Sequence, residues 1–208
     1  MQTPALQREI AANVAAAGVV VVALPQTNLF LQARGAGCPA SRGLTALRAL
    51  LDAKATLAAG ADNVRDPFNP LGRSDPLETA SLLVMAGHLT PQEAWEAVST
   101  GARRAMGLPA VVLEPGAPAE ILCIRGSSLV DAIARASEDR IVIHAGRCVS
   151  RTRVTGELMP LLTLAAPRST HSSRVPPAVS ARADELFGRV VEQLGPSGYA
   201  HQESEVRG

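Results

Sequence analysis

The sequence predicts an α/β protein organised on parallel strands, and three observations carry that reading. Residues 19–24 form a continuous valine-rich apolar run, the pattern of a strand buried on both faces as in parallel sheets. A second short apolar run at residues 55–59 ends in the polar stretch Gly60-Ala61-Asp62-Asn63. Each run follows a segment with helical spacing, so the first sixty residues read helix, strand, helix, strand, the order of two β/α units of a parallel barrel.

The elements are justified in turn. Thr3 is an N-cap with Pro4 in the first turn, Leu6, Ile10, Val14 and Ala17 recur at helical spacing, and Gly18 fits the C-terminal cap. Pro25 stops the first strand, and a loop through Gly37 carries Asn28, Gln32 and Arg34. A helix over residues 42–53 places Leu44, Leu47, Leu50 and Leu51 on its apolar side. Asp75-Pro76-Leu77-Glu78 and Thr90-Pro91-Gln92-Glu93 are two helix starts of one kind: cap, proline, then a carboxylate three residues on. The first helix runs to Ala86, and the second runs without a break to near Gly107, with Trp95 as packing. From Val111 the pattern changes to a strand at 119–124, a short helix capped by Ser128, and a hairpin of 141–144 with 147–151 around Ala145-Gly146. His144 alternates with Ile143 and reads as an exposed strand residue. Residues 160–177 read as a Ser/Thr/Pro/Ala linker, followed by an amphipathic helix from Ser180 to Leu194 and a disordered end.

Composition narrows the function classes. The 208 residues are 47% hydrophobic and 19% charged with net charge +1, which gives no reason to expect nucleic acid or an acidic membrane surface as partner. Aromatic residues make up 2%, too few for a base-stacking surface. Cys38, Cys123 and Cys148 are scattered and form no CxxC pair, which suggests a reducing cytoplasm. No basic segment followed by an apolar one marks a signal peptide.

Residues 60–72, GADNVRDPFNPLG, are the centre of the chain. Asp62 stands where a buried strand ends, the position at which parallel α/β proteins bind ligands. Asp66-Pro67 and Asn69-Pro70 favour turns and should make a stiff loop that keeps Asp62, Asn63 and Phe68 together. On local sequence alone, a strand ending in a polar turn without chemistry is an equal reading.

This stretch resembles the last-strand motif of bacterial cytosine deaminases in the metal-dependent amidohydrolase superfamily. Pro25, Asn28, Leu31, Gln32 and Arg34 resemble the penultimate-strand segment of the same family, and Arg42-Gly43-Leu44-Thr45 opens the helix between them. The likeness is co-linear over residues 1–153. It implies the C-terminal part of a TIM-like (β/α)8 barrel over residues 1–110, part of the flanking small β-sandwich over 111–153, and an extra helical tail over 154–208.

The resemblance also implies an activity: hydrolysis of a non-peptide C–N bond, deaminating cytosine or a related amino-pyrimidine. The Asp62 position would ligate a divalent ion (zinc or iron) and act as general base, Asn63 would contact the ring edge, and Phe68 would lie on the ring face. Asn63 and Phe68 depart from the family's frequent aspartate and tryptophan, which points toward a neighbouring substrate such as another amino-pyrimidine or an s-triazine. Lys54 stands where the family commonly has glycine, at a helix-to-strand turn that needs positive φ. Of the family's metal cage only Asp62 is matched; His88, His144, His171 and His201 show no HxH or HExxH spacing. The chain by itself is therefore expected not to hold the ion or turn over substrate, because a catalytic ion wants about three protein ligands. Its partners are expected to be a nucleobase-like small molecule and either a second copy or a separately encoded N-terminal half. A non-catalytic interaction module is the alternative.

Overall fold

The computed structural model describes residues 2–35 and 43–156. The expected linker, tail helix and disordered end lie outside these residues, as do Cys38 and Arg42. The chain divides into two units, residues 1–117 with 128–136, and residues 118–127 with 137 onward.

The first unit begins with α1 (Pro4–Ala16), whose N-cap Thr3 accepts from the Leu6 amide and whose end is turned by Gly18 at φ 65°. It leads into β1 (Val20–Ala23), α2 (Pro25–Leu31), α3 (Leu47–Asp52) and β2 (Thr56–Ala59). β1 and β2 pair in parallel, Val20 opposite Thr56 through Ala23 opposite Ala59, so both strands end at the same edge. Lys54 makes the turn into β2 at φ 60°, the left-handed conformation foreseen for this position.

Two expectations are corrected here. The stretch after Pro25 is not a loop but the helix α2, with Pro25 in its first turn and Pro25, Gln26 and Thr27 buried. β1 is not buried on both faces. Val21 faces α1 and α3 across an apolar cavity of about 260 Å³, lined by Ile10, Ala11, Val14 and Leu50 among others. Val20 and Val22, on the other face, are 37% and 48% exposed.

Three helices follow β2: α4 (Pro76–Met85), α5 (Pro91–Val98) and α6 (Thr100–Ala105). Asp75 caps α4 by accepting from the Leu77 amide at 3.0 Å, while Glu78 accepts from the Arg73 amide and so does not complete a capping box. Thr90 and Glu93 do form one at the start of α5. Glu93 also takes both N–H groups of Arg48, at 2.8 and 2.9 Å, and these hydrogen bonds hold its carboxyl down at about 2. The single helix expected over residues 91–107 is broken at Ser99 (φ −119°, ψ −89°), whose hydroxyl donates to the Trp95 carbonyl. The break sets buried Gly101 directly against the Leu57 carbonyl of β2. α7 (Leu129–Arg135) belongs to this unit too, packing on α4 and α5. Leu47, Leu50, Leu57, Leu77, Leu83 and Ile133 are the larger side chains of the core.

The second unit is an antiparallel sheet of β3 (Ile121–Ile124), β4 (Arg140–His144) and β5 (Arg147–Thr152), with β4 central and a bulge at Val142/Ile143. Ala145 and Gly146 turn the hairpin, both at positive φ, which matches strand twist. Ile141 is fully buried. Asp139, 4% exposed, accepts from Arg125 at 2.7 Å. His144 is exposed, as its alternation implied, with its ring 2.9 Å from Glu120. Among the described residues no helix is long and apolar enough to cross a membrane.

Candidate functional site

Because β1 and β2 run parallel, the segments that leave them meet at one edge. Asp62 follows β2 after Gly60 and Ala61 and adopts φ 62°, a left-handed conformation that aspartate tolerates better than most residues. Its side chain lies at the surface. The neighbouring peptides are fastened to α2: the Thr27 hydroxyl donates to the Ala61 carbonyl at 3.3 Å and accepts from the Asn63 amide at 3.2 Å. Thr27 is itself 7% exposed. Beside it, Gln26 donates to the Thr79 hydroxyl at 2.7 Å, which ties the first turn of α2 to α4.

Asp66 organises the rest of the loop. Its carboxylate accepts from the Asn63 side-chain amide at 2.6 Å and from the Phe68 and Asn69 backbone amides, each at 2.9 Å. Ionised oxygens with several donors are the stable form, and the carboxyl of Asp66 is held below its usual range, chiefly by Asn63. Asn69, 5% exposed, donates to the Asn63 carbonyl at 2.8 Å. Asp66 and Asn69 also exchange backbone hydrogen bonds at 3.0 and 3.2 Å. Arg65, at φ 55°, closes the loop through its Nε and the Gly72 carbonyl.

The loop brings Asp62, Asn63 and Phe68 into one short segment. The Phe68 ring is 58% exposed, and the Asn63 Nδ2 is committed to Asp66. Of the upstream residues, Pro25 and Asn28 lie in α2, the Gln32 Oε1 accepts from the Gly43 amide at 2.5 Å, and Arg34 lies 4.4 Å from the centre of the Phe30 ring. Thr27 and Gln26 were not singled out in the sequence. Their one local signal is polarity immediately after an apolar strand; their partners are 34 to 53 residues away.

The metal implied by the resemblance can be tested against these side chains. Among the described residues no group of three His, Cys, Asp or Glu side chains is placed to hold an ion. Asp62 stands at the surface and belongs to no such group, so the described residues do not fit a complete metal centre.

Residues 1–150 match the amidohydrolase family. The chain belongs to that family. It is 34% identical over 143 residues to a pterin deaminase of Rhizobium rhizogenes, covering 67% of this chain and 33% of that protein. It superposes with a TM-score of 0.60 and 28% identity on N-isopropylammelide isopropylaminohydrolase from Burkholderia multivorans, over 72% of this chain and 36% of the other. A 5-methylcytosine deaminase from Klebsiella pneumoniae, liganded with 5-fluorocytosine, shares the fold at a TM-score of 0.65 and 23% identity, over 76% and 40% of the two chains. The chain thus spans about a third of the length of the curated relative it matches.

Proposed function

We propose that this chain supplies one wall of a hydrolytic deaminase site that removes an amino group from a nitrogen heterocycle. The observation that carries the reading is the placement of Asp62: just past the end of one of two parallel strands, with the peptides on either side of it fixed to Thr27 in the helix that follows the other. The relatives named above as deaminases and an aminohydrolase support the reaction class. In this reading Asp62 accepts the proton of the attacking water. The water oxygen adds to the ring carbon that bears the amino group while that proton passes to the adjacent ring nitrogen; the hydroxyl proton of the adduct then moves to the amino group, the C–N bond breaks, and ammonia leaves a ring carbonyl behind. The exposed Phe68 ring offers a face for a flat substrate, and the Asn63 Oδ1, which accepts nothing among the described residues, faces the heterocycle's polar edge. A pterin, cytosine or an s-triazine satisfies these features; we favour a pterin because that relative is the most similar in sequence of those compared.

The remaining groups of the site, any metal ligands among them, come in this reading from polypeptide other than the described residues. The first unit is then the last β/α part of an eight-stranded barrel, with the exposed Val20 and Val22 on the face that a closed barrel turns inward. The second unit is part of the flanking sandwich. The β1 edge accepts a strand from the complementary polypeptide or a second copy, and the setting is cytoplasmic, without nucleic acid or membrane.

The test is to co-express the chain with the N-terminal portion of a related deaminase and follow ammonia release from pterin, cytosine and isocytosine. An active pairing should lose its activity with Asp62→Ala or Asp62→Asn. Phe68→Ala should weaken substrate binding by about 1–3 kcal/mol for the lost ring contact. Full rate with Asp62→Ala would overturn the assignment.

A further inference from the structure

We infer that Thr27 is a positioning residue for Asp62, holding the aspartate's backbone in the left-handed conformation from which its carboxylate works. The inference rests on the reading of Asp62 given above. Asp62 sits at φ 62°, a region in which a non-glycine residue stays only when its surroundings hold it there. The loop network of Asp66 and Asn69 begins at Asn63 and reaches downstream. On the upstream side, the Thr27 Oγ1 touches both peptides that flank Asp62, donating to Ala61 and accepting from Asn63. One hydroxyl thus fixes the carbonyl before the aspartate and the amide after it, which are the two groups that would rotate if the residue relaxed to negative φ.

The hydroxyl is well placed to resist that rotation. Thr27 is buried, and the β-branched side chain has few rotamers. Its helix is anchored independently by Gln26 on Thr79, which is 1% exposed. Valine in place of threonine keeps the shape and removes both hydrogen bonds, whereas serine keeps the hydroxyl. This separates positioning from packing.

The experiment uses the full chain with Thr27→Val, Thr27→Ser and Asp62→Asn. Hydrogen exchange at the Asn63 amide is followed in the chain alone, and kcat and KM in the active co-expressed pairing. Thr27→Val should speed exchange at Asn63 and lower kcat by about 10- to 100-fold with KM little changed, as losses of supporting partners do. Thr27→Ser should restore both. Unchanged Asn63 exchange in a folded Thr27→Val chain overturns the inference by itself. So does a native kcat in Thr27→Val when Asp62→Asn is inactive, and the reading of Asp62 then stands. An active Asp62→Asn removes the reading of Asp62 and this inference with it.

Discussion

Gly101→Ala puts the packing of β2 to a direct test. Alanine normally improves a helix over glycine by about 0.5–1 kcal/mol, so propensity alone predicts a stabilised chain. The structure predicts the opposite. A Cβ on Gly101 would fall on the Leu57 carbonyl oxygen, far inside ordinary contact distance, and 3.0 Å from the Glu96 carbonyl. Neither neighbour is the flexible end of a side chain. Leu57 is opposite Val21 in the strand pair, and Glu96 lies in α5. To accept the methyl group, α6 must move away from β2 by on the order of 1 Å, which in a packed interior costs about 1–3 kcal/mol. Strain exceeds propensity, and the net destabilisation should be about 1–2 kcal/mol. Urea unfolding followed by circular dichroism measures it, with Gly60→Ala as control, since nothing stands within 4 Å of a Cβ there. A Gly101→Ala chain as stable as the native one would refute the contact between α6 and the strand that carries Asp62.

Three further predictions concern other parts of the fold. The Glu93 carboxyl is held at about 2 against an ordinary 4.5, so its contribution is complete above pH 4.5 and disappears as pH falls toward 2. Arg48 is half exposed and solvent screens the pair, so Glu93→Gln should cost about 1–2 kcal/mol at pH 7 and progressively less in acid, read from urea midpoints between pH 7 and 2.5. Lys54→Gly should stabilise by about 0.5–1 kcal/mol by relieving φ 60°, and a loss of stability would contradict that conformation. Zinc or iron added to the purified chain should be removed by dialysis, because no group of three ligand side chains is placed to hold it among the described residues; one tightly held ion per chain would count against this.

The parts of this structure that were legible in the sequence are those specified locally. Thr3-Pro4, Asp75-Pro76 and Thr90-Pro91 mark helix starts because cap and proline act within one turn. The left-handed turn at Lys54 could be foreseen from a position that resembles a glycine site. What the sequence concealed depends on distant partners. Gln26-Thr27 has no apolar periodicity, and it is helical and buried, with Gln26 donating to Thr79 and the Thr27 hydroxyl bonded to Ala61 and Asn63. The break at Ser99 is marked locally only by Ser99-Thr100-Gly101, and it is accompanied by the close approach of Gly101 to β2. In β1, alternate valines look alike in sequence, yet Val21 lies toward α1 and α3 while Val20 and Val22 stay exposed. In the candidate site, Asp62, Asn63 and Phe68 were found by their likeness to a motif, and Thr27 was found only from geometry.

The placement of α7 limits how this chain can be divided. The polypeptide completes β3, spends Leu129–Arg135 on a helix of the other unit, and returns to lay down β4. The first unit is therefore assembled from two separate sequence segments, and no single cut releases it whole. A boundary drawn at residue 117 would strip α4 and α5 of the helix packed on them, baring the surface it covers to solvent or to other chains. A boundary after residue 136 would keep that helix but carry β3 along without β4, leaving an unpaired strand. Duplication, fusion or permutation of this sequence would have to move residues 4–152 as one block, so inheritance of the Asp62 loop is coupled to inheritance of the hairpin at Ala145-Gly146.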